Sequence, residues 1–316
     1  MGLERGQFKR DEVTTPKEIL VKYNIRPLKR FGQSFLIDPN IINRIVASAG
    51  VGPEDTVVEI GAGAGIMTGM LCDRAREVFA LEVDGRMIGV LKEELGARSN
   101  VTVMHQDVLT YDFSEAFRAS TERPLVVVGN IPYNISSQIL LRLIKYRHIL
   151  STVVLMFQKE VAERIIARPG AKQYSILSVL TLLYFDCKRI ATASPGCFYP
   201  KPRIDSTVLK MTSRLCPLAE VKDPEVFQAV VRAAFSKRRK TLANSMKNNP
   251  FLLFSDTEVF EIMSQADIDQ KRRGETLTIE EFARMSNVIS SRPFWGRLPR
   301  NAVHVHREKR HGLDDN

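Results

Sequence analysis

TVVEIGAGAGIMT, residues 56–68, is the stretch that predicts the fold class of the chain. An apolar, mostly β-branched run of strand length ends in closely spaced glycines, and apolar residues then recur at helical spacing at Met67, Met70 and Leu71. Glycine lets the backbone approach a ligand closely at the amino terminus of the helix that follows. The stretch therefore predicts a strand, a ligand-binding turn and a helix, which is one unit of an α/β sheet.

The alternation of strand and helix continues along the chain. Further apolar runs of strand length occur at residues 78–84, 101–105, 125–129 and 152–157. Residues 186–193 and 206–211 look like a closing pair of strands, and the proline-rich segment 195–202 between them predicts an irregular rim over the ligand crevice. From Pro217 onward only helical patterns remain. We therefore expect an α/β domain followed by a smaller all-helical one.

Two acidic residues follow the strands beside the glycine turn. Glu82 comes about twenty residues after the glycines, where an acid accepts hydrogen bonds from ribose hydroxyls in nucleotide-binding sheets. Asp107 follows the next strand. A dinucleotide site, the alternative, requires Gly or Ala at the position of Ile66. The G-x-G-x-G spacing behind Glu59 is instead typical of S-adenosylmethionine sites in Rossmann-like methyltransferases.

The stretch LVVVGNIPY, residues 125–133, predicts where the chemistry occurs. It indicates a buried parallel strand that ends at Asn130, and ligands bind at the carboxyl ends of such strands. The Asn130 side-chain carbonyl and a neighbouring backbone carbonyl are two acceptors that suit an exocyclic amino group. Tyr133 offers a π-face on which a nucleobase can stack. The tetrapeptide resembles signatures of enzymes that methylate amino nitrogens, and the alternative is an ordinary Asn-x-Pro turn.

Composition favours a polyanionic partner. The 316 residues carry a formal net charge of +10, with a pI near 9.5, and nucleic acid is the leading candidate. No apolar run reaches the ~20 residues of a membrane span, and residues 1–11 do not resemble a secretory signal. The cysteines lack metal-ligand spacing, and His304 and His306 have no third ligand at fixed spacing, so we expect no metal site. The same scattered cysteines predict reduced thiols in a cytoplasmic protein. These cysteines are Cys72, Cys187, Cys197 and Cys216.

Seven short motifs, in this order, resemble the KsgA/Dim family of ribosomal RNA adenine N6,N6-dimethyltransferases. The resemblance covers residues 29 to 286. Each motif alone identifies the family only weakly, whereas the set in this order is highly specific for it. The motifs are KRFGQSFL (29–36), EIGAG (59–63), EVD (82–84), QDV (106–108), NIPY (130–133), FYPKP (198–202) and AFSKRRKTL (234–242).

The resemblance implies a seven-stranded Rossmann-like methyltransferase sheet with helices on both faces and a small helical domain. The implied domains are an amino-terminal arm at 1–28, the methyltransferase domain at 29–214, a helical RNA-binding domain at 215–289 and a basic, disordered tail at 290–316. The implied S-adenosylmethionine pocket consists of Ser34, Leu36, Gly61, Glu82, Asp107 and Asn130. The family usually has Asn or His where this chain has Ser34.

The implied reaction is dimethylation of adenine N6 in small-subunit ribosomal RNA, on two adjacent adenines of a late assembly precursor. The catalytic group consists of Asn130, Ile131, Pro132, Tyr133 and Phe198. In it Tyr133 and Phe198 sandwich a flipped-out adenine, and the alternative for Phe198 is a hydrophobic plug at the sheet edge. A helical basic segment contacts RNA phosphates with Lys237, Arg238, Arg239 and Lys240. The free protein is expected to be a monomer.

Three alternatives remain open at this point. A DNA adenine methyltransferase shares the Asn-x-Pro-Tyr motif, but it does not predict the basic segment of residues 237–240. The erythromycin-resistance type of large-subunit rRNA methyltransferase shares the fold and the catalytic motif, whereas FYPKP at 198–202 is nearer to the small-subunit family. In the third alternative the protein is a ribosome-assembly factor in which methylation is secondary.

Overall fold

The computed structural model describes residues 15–28, 31–237, 239–247, 249–252 and 254–292. Its strands are β1 (Phe35–Leu36), β2 (Thr56–Ile60), β3 (Glu77–Glu82), β4 (Val101–His105), β5 (Leu125–Asn130), β6 (Leu150–Gln158), β7 (Phe185–Ala193), β8 (Phe198–Tyr199) and β9 (Ser206–Ser213). Its helices are α1 (Pro16–Lys22), α2 (Pro39–Ala49), α3 (Ile66–Cys72), α4 (Gly85–Leu95), α5 (Phe113–Ala119), α6 (Ser136–Lys145), α7 (Lys159–Ile166), α8 (Ile176–Tyr184), α9 (Pro224–Ala234), α10 (Leu242–Met246), α11 (Asp256–Gln265) and α12 (Ile279–Ser290).

The predicted seven-stranded sheet is confirmed, with strand order β4-β3-β2-β5-β6-β9-β7. Strands β2 to β6 pair in parallel, whereas β9 runs antiparallel to β6. The chain moves outward from β2 through β3 to β4 and then returns to the other side of β2 at β5. This reversal opens a crevice at the carboxyl ends of β2 and β5, where open α/β sheets bind ligands.

The two central strands are buried because helices cover the sheet. All five residues of β2 and the first five of β5 are buried. Gly129 on β5 pairs with Ile60 on β2, and a Cβ at residue 129 would lie 2.6 Å from the Ile60 carbonyl oxygen. Glycine at this position therefore permits the close approach of the two strands beside Asn130.

The described residues divide into two compact units, which differ from the predicted domains. The first joins residues 15–162 with Cys187–Ser213, and the second joins Glu163–Asp186 with residues 214–292. Residues 163–186, predicted as part of the α/β domain, therefore belong to the unit that contains the carboxyl-terminal helices. The described part of the predicted arm, residues 15–28, belongs to the first unit, where Ile19 and Leu20 of α1 pack with Phe35 and Met87.

The second unit is built around helices and an aromatic cluster. The ring of Phe235 lies 5.8 Å from that of Tyr174 and 6.0 Å from that of Phe282. The capping box predicted at Thr278 is present, since its hydroxyl accepts from the Glu281 N–H and the Glu281 carboxylate accepts from the Thr278 N–H. Across the described ranges, none of the helices has the length and apolar character that a membrane span requires.

Candidate active site

A cavity of about 380 Å³ lies in the first unit at the carboxyl ends of the central strands. Nine of the predicted site residues line it together. Six of these, Ser34, Leu36, Gly61, Glu82, Asp107 and Asn130, were predicted for the cofactor, and Ile131, Pro132 and Tyr133 were predicted for catalysis. Phe198 is not a lining residue. The structure therefore brings most of the predicted site into one space.

The glycine turn forms one wall of this cavity. Gly61, Gly63 and Gly65 have φ of 75°, 53° and 80°, in the left-handed region that favours glycine. A Cβ on residue 63 would lie 3.1 Å from the Phe35 ring, so a side chain there would crowd the opposite wall. The turn therefore leaves its backbone, rather than side chains, facing a ligand.

Backbone N–H groups donate to both carboxylate oxygens of Glu82 and fix its side chain. Its Oε2 accepts from the Gly63 N–H at 2.9 Å, and its Oε1 accepts from the N–H groups of Val83 at 2.9 Å and Asp84 at 3.0 Å. Burial raises the pKa of Glu82, and the three N–H donors oppose that effect. The side chain therefore ties β3 to the glycine turn and keeps acceptor capacity at the cavity wall.

Glu59 lines the same cavity and is only 1% exposed. Neither of its carboxyl oxygens has a hydrogen-bond partner in the described residues, and the same holds for the buried hydroxyl of Thr68. Burial raises the pKa of Glu59 to about 8, and the nearby Glu82 adds to the increase. Glu59 is therefore a largely protonated carboxyl group in the cavity wall at neutral pH. Sequence reasoning noted this acid as part of the motif but assigned it no role.

The orientation of the Asn130 amide follows from one hydrogen bond. Its Nδ2 donates to the Ser34 backbone carbonyl at 2.9 Å. A carbonyl can only accept, so the bonded atom must be the NH₂ nitrogen, and Oδ1 remains as an acceptor. The Ser34 hydroxyl donates to the Pro200 carbonyl at 2.9 Å. Ser34, which was predicted only as a cofactor contact, therefore also orients the Asn130 amide through its backbone carbonyl. The sequence did not indicate this second role.

Tyr133 is held at two points beside Asn130. It begins a 3₁₀ turn, Tyr133–Ile135, and its backbone carbonyl accepts from the Ser136 hydroxyl at 3.0 Å. Its phenol oxygen lies 2.6 Å from the hydroxyl oxygen of Ser206, which is fully buried at the start of β9. Burial raises the pKa of the Tyr133 phenol, and the Ser206 hydrogen bond opposes this. The contact fixes the ring against the cavity, and no local pattern around Ser206 could have indicated it.

A polar network fixes the segment before β1 at the rim of the cavity. Gln33 Nε2 donates to Asp84 Oδ2 at 2.8 Å, while Gln33 Oε1 accepts from the Leu28 N–H at 2.7 Å. Arg86 contacts both Asp84 carboxylate oxygens, at 3.0 Å and 2.5 Å. Burial of Asp84 works against ionisation, but the bonds from Arg86 and Gln33 keep its pKa below the usual value. Asp107 is fixed separately, since its Oδ1 accepts from the Leu109 N–H at 2.8 Å.

The prediction that Phe198 stacks on a substrate base is wrong for this conformation. The side chain is 1% exposed and belongs to a core cluster with Leu36, Ile42 and Val208. The proline-rich segment was predicted to be irregular, yet it forms a strand, β8, in which Phe198 pairs with Leu36 of β1. Because cross-strand partners share one face of a ladder, this pairing directs both side chains into the core. The plug interpretation of Phe198 agrees with the structure.

The basic segment lies in the second unit and is a turn between α9 and α10 rather than the predicted helix. Lys237, Arg239 and Lys240 are exposed, whereas Arg238 lies outside the described residues. The hydroxyl of Ser245 donates to the Lys237 carbonyl at 3.3 Å and thereby fixes the turn. Contact of these side chains with RNA stays a prediction. His304, His306 and nearly all of the predicted tail likewise lie outside the described residues.

Comparison with known proteins agrees with this geometry. The family model described as ribosomal RNA adenine dimethylase matches residues 24–290. Ribosomal RNA small subunit methyltransferase A of Syntrophus aciditrophicus is 43% identical over 88% of this chain and 99% of its own length. The protein of the same name from Bacillus mycoides is 42% identical over 88% of this chain and 97% of its length.

Two solved structures are similar in fold. A dimethyladenosine transferase from Plasmodium falciparum has a TM-score of 0.68 and 26% identity, over 79% of this chain and 95% of that one. The 23S rRNA methyltransferase ErmE has a TM-score of 0.61 and 26% identity, over 81% of this chain and 99% of that one. The family model and the close relatives together cover both units, and the chain therefore belongs to the ribosomal RNA adenine dimethylase family.

Proposed function

We propose that this S-adenosylmethionine-dependent methyltransferase dimethylates N6 of two adjacent adenines in the ribosomal RNA of a late small-subunit precursor. Membership of the family makes the chain an rRNA adenine dimethyltransferase. The small subunit is favoured because the relatives at 42–43% identity carry that name. The observation that carries the proposal is the Asn130 amide, whose Nδ2 is bound to Ser34 while its Oδ1 stays an acceptor beside Tyr133 at the cavity.

The cavity suits S-adenosylmethionine in its size and donor set. Gly61 and Gly63 keep one wall free of side chains, and Glu82 offers acceptors for ribose hydroxyls. Glu59, buried in the cavity wall, suits the ammonium group at the amino acid end of the cofactor, because that cation would favour the ionised form of a carboxyl group that burial otherwise keeps protonated. When bound, S-adenosylmethionine supplies a methyl group that is already activated on a sulfonium sulfur.

The residues at the end of β5 hold and orient the acceptor amine. The lone pair of adenine N6 is delocalised into the ring, so the amine is a poor nucleophile. Asn130 Oδ1 and the Ile131 carbonyl accept its two N–H groups and favour a pyramidal nitrogen. Tyr133, fixed by Ser206, stacks on the extruded base. Positioning of this kind can supply most of the acceleration, because no difficult bond has to be activated by the protein.

No general base is required in this scheme. The nitrogen becomes acidic once it carries the additional methyl group, and its proton can leave to water. The side chains proposed to contact the base are an amide and a phenol, and burial raises the pKa of that phenol further above neutrality. Asn130 and Tyr133 therefore act by positioning and stacking rather than by proton transfer.

The remaining parts of the proposal concern partners. The segment of residues 237–240 contacts phosphates of the same RNA, in a chain with a net charge of +10. The free protein is a monomer, and it acts in the cytoplasm, where precursor subunits are found. The fold similarity to ErmE keeps the large-subunit RNA as the second candidate substrate.

The test is to map dimethyladenine by mass spectrometry in ribosomal RNA from cells with and without this protein. We expect loss of two adjacent dimethyladenines in the small-subunit RNA and their return with the wild-type gene. Loss in the large-subunit RNA alone would favour the second candidate. Loss at neither site would contradict the proposal, and together with a subunit-assembly defect it would favour the assembly-factor role.

A further inference from the structure

The burial of Phe198 leaves its neighbour Tyr199 as the exposed aromatic side chain of the FYPKP motif. Tyr199 is 39% exposed, whereas Phe198 is 1% exposed. The two residues alternate across β8, so their side chains point to opposite faces of the two-stranded β1–β8 ladder. Phe198 enters the core cluster that contains Leu36, whereas Tyr199 stays partly exposed although its cross-strand partner Phe35 packs in a separate cluster.

The position of Tyr199 relative to the cavity follows from its cross-strand partner. Tyr199 pairs with Phe35, which lines the cavity and packs against the glycine turn near Gly63. The adjoining residue, Pro200, accepts a hydrogen bond from Ser34, the residue whose backbone carbonyl orients Asn130. Tyr199 does not itself line the cavity, but it adjoins Pro200, which two hydrogen bonds connect to the Asn130 amide through Ser34.

One lysine lies near this ring, and two further cations follow Tyr199 in the chain. The Nζ of Lys17, on α1, lies 5.8 Å from the Tyr199 ring centroid, which is within the range of a cation–π contact. Lys201 and Arg203 follow in the same segment and are exposed, and neither forms an ion pair with a carboxylate in the described part of the chain. We call these four residues the rim patch: Lys17, Tyr199, Lys201 and Arg203.

We propose that the rim patch binds a nucleotide that flanks the target adenine, with Tyr199 stacking on its base and the three cations contacting its phosphates. An exposed aromatic face among unpaired cations fits single-stranded RNA, since every base has a π-face and each phosphate is an anion. A protein partner is disfavoured because three of the four rim-patch residues are cations and only one offers an aromatic ring. This inference rests on the proposed function, because it requires the extruded adenine to lie in the cavity beside Asn130.

Two measurements test the rim patch on undermethylated small subunits from cells that lack the methyltransferase. The first is KM for methyl transfer with Tyr199→Ala, Tyr199→Phe and Tyr199→Trp. We expect Tyr199→Ala to raise KM about five- to hundredfold, as the loss of one stacked base does, and the two aromatic variants to retain most of the affinity. Val21→Ala, which truncates a 73% exposed side chain on α1, is the matched surface control and should leave KM unchanged.

The second measurement is zero-length ultraviolet crosslinking of the wild-type protein to the same subunits, followed by peptide mapping. We expect an RNA crosslink on the peptide that contains Tyr199. Equal KM for Tyr199→Ala and wild type, or a crosslink of this peptide to a ribosomal protein instead of RNA, would overturn the inference while leaving the proposed function intact. A wild-type protein that methylates no small subunit would overturn the proposed function, and the crosslink would still decide whether Tyr199 contacts RNA.

Discussion

The buried carboxyl group of Glu59 is a chemical feature of the cavity whose titration can be measured. Its pKa, raised by burial to about 8, lies above the value of 4.5 for the exposed group. The folded protein therefore keeps a proton that the unfolded chain releases, and stability falls as pH rises through this window. We expect the stability of Glu59→Gln relative to the wild type to increase by roughly 1 kcal/mol for each unit that the pH rises between 4.5 and about 8.

Chemical denaturation of both proteins at several pH values measures this difference. Other titrating groups are common to the two proteins and cancel. A difference that stays constant from pH 5 to pH 8 would show that the Glu59 carboxyl has an ordinary pKa.

Glu82 tests the placement of the cofactor ribose. Glu82→Ala removes a carboxylate acceptor, and we expect it to weaken the binding of S-adenosylhomocysteine by about 1.5–3 kcal/mol. Isothermal titration measures this, with one ligand expected for each wild-type chain. Because Glu82 also holds the Gly63 N–H, Glu82→Gln serves as the control that retains one acceptor at the turn. Unchanged affinity in a folded Glu82→Ala protein would contradict the placement.

The short strands β1 and β8 fix the wall between the cavity and the core. Phe198 on β8 is a core residue, so we expect Phe198→Ala to lower the free energy of unfolding by about 3–5 kcal/mol. The adjacent substitution Tyr199→Ala is the matched control and should leave stability nearly unchanged, because that side chain is exposed. Thermal or chemical denaturation compares the two. A Phe198→Ala protein with wild-type stability but reduced methylation would restore the base-stacking interpretation.

The elements that sequence could predict are those with a local signal. Strand β4 begins and ends at the predicted residues, 101 and 105, and β2 begins where the predicted stretch 56–68 begins, because apolar runs mark both strands. Strand β8 was missed because two residues show no periodicity, and its existence depends on pairing with β1, more than 160 residues earlier in the chain. The same holds for the Ser34–Asn130 and Tyr133–Ser206 contacts, which join distant segments. Sequence thus predicted the chemical groups of the site but not the contacts that orient them.

The basic character of the chain has a measurable consequence for RNA binding. Changing Lys237, Arg238, Arg239 and Lys240 together to Ala removes four cations from a chain of net charge +10. We expect weaker binding to undermethylated small subunits. We also expect the slope of the logarithm of the binding constant against the logarithm of the salt concentration to become shallower, by about 0.7 for each phosphate that these side chains neutralise in the wild type. Binding of S-adenosylhomocysteine is the control and should not change. Wild-type affinity and slope would contradict a phosphate-binding role for this segment.

The most direct test of the account is methyl transfer by Asn130→Ala to purified, undermethylated small subunits, measured as dimethyladenine by mass spectrometry. The substitution removes the acceptor that we propose orients the N6 amine, and it leaves the basic segment and the rim patch in place. We expect methyl transfer to collapse while the melting temperature and the affinity for the small subunit stay close to those of the wild type. Dimethyladenine formed at the wild-type rate by the folded Asn130→Ala protein would contradict the assignment of Asn130 as the residue that positions the amine.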